Sequence, residues 1–140
     1  MHSSILRSLS SLRTVALCAA VIFATGATAA ELAQRDSQGG GVSISVKPAD
    51  VSASASTWRF EVALNTHMGS LDDDLAKTAV LIHGAGKPHA AAGWQGDPGG
   101  GHHRRGVLLF KPLSPQPKAI ELDIRRAGEA APRQFRWELK

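Results

Sequence analysis

Five histidines follow residue 29: His67, His83, His89, His102 and His103. Imidazole ligates transition metals and exchanges protons near neutral pH, so these positions are the first place to look for chemistry. His67 lies in Asn65-Thr66-His67-Met68-Gly69, and the acidic run Asp72-Asp73-Asp74 begins five residues later. A second cluster reads Asp97-Pro98-Gly99-Gly100-Gly101-His102-His103. Neighbours on a regular strand face opposite ways, so both imidazoles can serve one ion only on irregular backbone, which three glycines permit. With both turns at one end of the domain, His67, His102, His103 and Asp74 make a set of nitrogen and oxygen ligands. That set suits Zn²⁺ or Cu²⁺, and Met68 adds a soft sulfur. A second reading stands beside the first: these side chains are solvated or hydrogen-bonded, and they tie two loops together in a domain that binds no metal. His83 and His89 are read as surface residues.

Other chemistries find less support. No serine sits in a G-x-S-x-G turn, and the three aspartates lack the spacing and distal glutamate of a calcium loop, so no enzyme is expected. Cys18 is the one cysteine, and it falls within the N-terminal apolar run. Once that run is removed, disulfides, thiolate catalysis and blue-copper chemistry are excluded. Arg104-Arg105 and Arg125-Arg126 are short pairs, read as solvated strand ends. No basic stripe with interleaved aromatics is present, so no nucleic-acid partner is expected.

Residues 1–29 have the order of a secretory signal: Arg7 and Arg13, the apolar run 15–24, then small residues around Ala27-Thr28-Ala29. The apolar run is about half the roughly 20 residues that a spanning helix needs, so no permanent membrane span is expected. The location expected is periplasmic or secreted, with a protein partner there as one possibility the sequence leaves open. The whole chain carries 16 Lys and Arg against 12 Asp and Glu, a formal charge of +4, and Arg7 and Arg13 account for two of those charges.

The elements that must position the histidines follow from alternation. Residues 30–41 are polar and end in three glycines, which predicts a flexible leader before a domain at 42–140. Runs at 42–47, 57–65, 79–83, 89–94, 106–111, 119–125 and 133–139 read as strands separated by turn residues. In the clearest of them Trp58, Phe60, Val62 and Leu64 face one way. Residues 71–77 suit a single helical turn. The expected fold is all-β: one antiparallel sandwich of about seven strands, immunoglobulin-like or cupredoxin-like. Trp58 and Trp137 fall in phase with buried faces, and Trp94 stands beside the glycine-histidine loop.

With Thr66-His67, Leu71, Asp74-Leu75, Trp94, Gly100-Gly101-His102-His103, Gly106, Leu108 and Phe110, and a closing Arg133-x-Phe135-x-Trp137-x-Leu139, the chain resembles a family of short exported bacterial proteins and lipoproteins. Their pattern is T-H-x-x-x-L-x-x-D-L, then W, then G-G-H-H-x-x-G-x-L-x-F. The match spans nearly the whole domain. It implies a secreted β-sandwich with the same His67, Asp74, His102 and His103 arrangement, and it brings no activity with it.

Overall fold

Each alternating run becomes a strand, and the side chains in phase are the ones that leave water. The computed structural model describes residues 32–139, so residues 1–29, expected as a signal and containing Cys18, lie outside them. In chain order the elements are β1 (Arg35–Gly39), β2 (Val42–Asp50), β3 (Trp58–Thr66), α1 (Leu75–Thr78), β4 (Ala79–His83), β5 (Lys87–Ala90), β6 (Gly93–Gly96), β7 (His103–Phe110), β8 (Ala119–Ile124) and β9 (Arg133–Glu138). They form two antiparallel sheets, ordered β1-β2-β3-β7-β6 and β5-β4-β8-β9.

The two inner faces meet in one core. Ile44, Val46, Trp58, Phe60, Val62, Leu64, Leu108 and Phe110 come from the first sheet, and Leu81, Ile120, Leu122, Ile124, Phe135 and Trp137 from the second. Each large side chain so buried contributes about 1.5–3 kcal/mol. Phe60 packs edge-on against Phe110, with ring centroids 5.6 Å apart, a favoured geometry for aromatic pairs. The indole N–H groups of Trp58 and Trp137 donate to the carbonyls of Ser52 and Ala33, at 2.9 and 2.7 Å, so neither ring buries an unpaired donor.

Three departures from the expected elements have identifiable causes. The leader 30–41 is structured from Arg35 onward, because β1 pairs in register with β2 from Arg35↔Val46 to Gly39↔Val42. Both faces of β1 are mostly exposed, so its place rests on backbone hydrogen bonds and on Arg133, which donates to Ser37 Oγ and the Gly39 carbonyl. The run 89–94 divides into β5 and β6, which lie in different sheets, with Ala91-Ala92 carrying the chain across. Finally, β2 runs through Pro48 to Asp50 with a register shift there. Pairing with β1 stops at Val46, so the missing proline N–H interrupts no ladder on that side. Nine strands therefore stand where about seven are expected.

One buried group runs against the pattern. Asp123 points away from the core yet is only 7% exposed, and its Oδ1 has no hydrogen-bond partner. Burial, with Glu121 nearby as a second cause, raises its carboxyl above the ordinary value of 3.8. A raised folded-state pKa means the native state holds the proton longer than the unfolded chain does. Stability is then lost as pH rises from the ordinary carboxylate range through the folded value. Asp123→Val is expected to stabilise the protein by about 1–2 kcal/mol at pH 7, the cost of an unsatisfied buried polar group. The gain shrinks below the ordinary carboxylate range, which urea unfolding of both proteins across pH will show.

Candidate functional site

The antiparallel pairing of β3 with β7 decides where the two histidine turns lie. Asn65 stands opposite His103, so the chain leaving β3 and the chain entering β7 share one pole of the sandwich. Backbone bonds continue past the strand ends: Thr66 N–H donates to His102 C=O at 2.9 Å, and Leu71 N–H to Gly101 C=O at 3.1 Å. Gly100 N–H returns to Leu71 C=O at 3.0 Å. Gly100 and Gly101 take positive φ, 117° and 71°, which L residues with side chains rarely adopt.

Side chains then lock the turns from within. Thr66, 3% exposed, shares its one hydroxyl proton between the carbonyls of Met68 and Gly41, 2.6 and 3.0 Å from Oγ1, and accepts from Met68 N–H. Arg104 is 4% exposed, in phase with Leu108 and Phe110 on β7. Its guanidinium donates to the carbonyls of Leu71, Asp73 and Asp97 and lies 5.2 Å from the centre of the Trp94 ring. Asp73 accepts from Arg126 Nε at 3.0 Å and from Ala127 N–H at 3.1 Å, joining the pole to the end of the opposite sheet. These two charged side chains retain only 8% and 10% exposure. Trp94 lies over Gly106, where a Cβ would stand 2.5 Å from the indole, so only glycine fits beneath the ring.

The four residues expected as metal ligands share this pole without forming a cage. His67 and His102 are exposed at its rim. His103 Nδ1 is 2.7 Å from Asn65 Oδ1 across the strand pair. Asp74 pairs with exposed Lys77 at 3.1 Å, and that hydrogen bond leads the causes holding its carboxyl below the ordinary value. Among the described residues, no group of three or more His, Cys, Asp or Glu side chains converges so as to hold a metal ion.

Arg104 and Arg126, read from sequence as solvated, carry the interior of the site instead. Extending the alternation of Leu108 and Phe110 back through Gly106 reaches Arg104, so its inward phase was available. Arg126 offers no comparable signal, because its partner is distant in sequence. No helix among the described residues is long and apolar enough to cross a membrane. Compared with protein families, with characterised proteins and with solved structures, the chain shows no match.

Proposed function

We propose that the chain is an exported, non-catalytic β-sandwich domain that presents its tied pole as a contact surface for a protein partner in the periplasm. The observation that carries this reading is that the turns are held by the protein's own groups: Thr66, Arg104 and Asp73 are satisfied within the fold. Outward from that frame stand His67, His102 and Met68, the last 80% exposed and the one large exposed hydrophobic among the described residues. A thioether on a fixed frame suits docking, because little ordering remains to be done on binding. The residues behind the family resemblance support the same reading. Leu71, Leu75, Leu108, Phe110, Phe135 and Trp137 are core, Gly106 lies under Trp94, and Arg133 joins β9 to β1. Export rests on the order of residues in 1–29: Arg7 and Arg13, the apolar run, then the small residues around Ala27-Thr28-Ala29.

The second reading, a Cu²⁺ or Zn²⁺ centre using His67, Asp74, His102 and His103, draws on the pairing that brings the two turns to one pole. Amide exchange separates the two. In metal-free protein the amides of Thr66, Leu71 and Gly100 are expected to be protected, and alanine at His67, Met68 and His102 together should change stability by no more than about 0.5 kcal/mol. Protection that appears only on adding Zn²⁺ or Cu²⁺ would favour the metal centre.

A further inference from the structure

The other two histidines lie together in a different place. His83 on β4 and His89 on β5 are diagonal neighbours across a hairpin, because Leu81 stands opposite His89 and His83 opposite Lys87. Their rings stack with centroids 5.0 Å apart and planes 26° from parallel. Residues 113–118 form the facing wall, held in place by Gln116 Nε2 donating to Val51 C=O at 2.7 Å and Leu139 N–H donating to Lys118 C=O. The cleft between has a volume of about 470 Å³, within the range of small-molecule sites.

Among the described residues, the cleft's permanently charged side chains are both lysines. Lys87, Lys118, His83 and His89 face the cleft, and among the described residues no carboxylate side chain does. Leu113, Pro115 and Pro117 supply an apolar wall. His89 Nε2 is buried without a hydrogen-bond partner. Burial first, then the like-signed His83 and Lys87, lower the pKa of the His89 imidazole from its ordinary value. A metal cation would meet two ammonium groups in this cleft. An anion finds complementary charge in the two ammonium groups, with the imidazoles beside them.

We propose that this cleft binds a small organic carboxylate, its apolar body against Leu113, Pro115 and Pro117 and its anionic oxygens between Lys87, Lys118 and the two imidazoles. Both lysine side chains are on exposed residues, so they can be removed without disturbing the core.

The test adds benzoate, benzylamine or inorganic phosphate to the purified protein and follows the imidazole resonances by NMR. Benzoate is expected to shift His83 and His89 saturably and to leave His67, His102 and His103 in place. Lys87→Ala with Lys118→Ala should weaken its binding by about fivefold or more. Phosphate, which lacks an apolar body, and benzylamine, which has the opposite charge, should bind less tightly. No shift at about 10 mM benzoate overturns the proposal, since that concentration exceeds any useful dissociation constant. So does equal affinity in the double variant, or binding of benzylamine or phosphate as tight as that of benzoate.

Discussion

Arg104→Met is expected to lower the unfolding free energy by about 3 kcal/mol, the larger part of it from the lost charged hydrogen bonds to three carbonyls, of which Leu71 C=O keeps Gly100 N–H and Asp97 C=O keeps Trp94 Nε1. Methionine keeps an apolar stem of similar reach, so the change isolates the guanidinium. The carbonyls of Leu71, Asp73 and Asp97 lose hydrogen bonds from a charged donor at a position only 4% exposed. Bonds of that kind contribute about 1.5–3 kcal/mol each before the non-additivity of a shared donor is allowed for. Arg104→Lys should recover less than half, because an ammonium is a compact point charge and cannot span three acceptors while lying over Trp94. Urea unfolding followed by tryptophan fluorescence measures both variants. A loss under about 1 kcal/mol for Arg104→Met, the size of an ordinary surface change, contradicts the role assigned to the guanidinium.

Asp73→Ala is expected to cost about 3–5 kcal/mol, the range found when one partner of a buried pair is removed. It leaves the Arg126 guanidinium, 10% exposed, without its carboxylate at 3.0 Å, and frees Ala127 N–H. The Arg126 side chain still has Glu129 at 3.8 Å, which limits the loss toward the lower end. Arg126→Met should cost less than Asp73→Ala, because the Asp73 carboxylate keeps its bond to Ala127 N–H. In the double variant the costs should fall well short of their sum, since each single change strands the other charge. Additive losses in that double-mutant cycle mean the two side chains do not act as a pair.

These two arginines also mark where reading the sequence succeeds and where it stops. Alternation identifies the core because burial alone enforces it: Trp58, Phe60, Val62 and Leu64 on β3, and Phe135 and Trp137 on β9, follow from period two. The same rule applied to Arg104 gives its inward direction, and its charge argues the other way until the carbonyls around it are known. β1 has no apolar face, so nothing in its composition announces a strand whose partners are backbone groups of β2. The crossing at Ala91-Ala92 is similarly silent, because both β5 and β6 are short edge strands with little to bury. At the pole, the glycines and histidines are visible in the sequence as a special place. What holds that place together is not, because the bond from Asp73 to Arg126 spans 53 residues and the one from Arg104 to Leu71 spans 33. Histidine spacing points to metal ligands, yet of the four residues selected, His103 is engaged by Asn65 and Asp74 by Lys77.

Native-state hydrogen exchange in metal-free protein tests the central claim most directly, because it reports on the backbone bonds that join the two turns. The amides of Thr66, Leu71 and Gly100 should exchange slowly, with opening free energies near those of β3 and β7, and Arg104→Met should bring them toward free exchange. Exchange at the rate of an open loop in the unmodified, metal-free protein contradicts a pole held together by its own side chains.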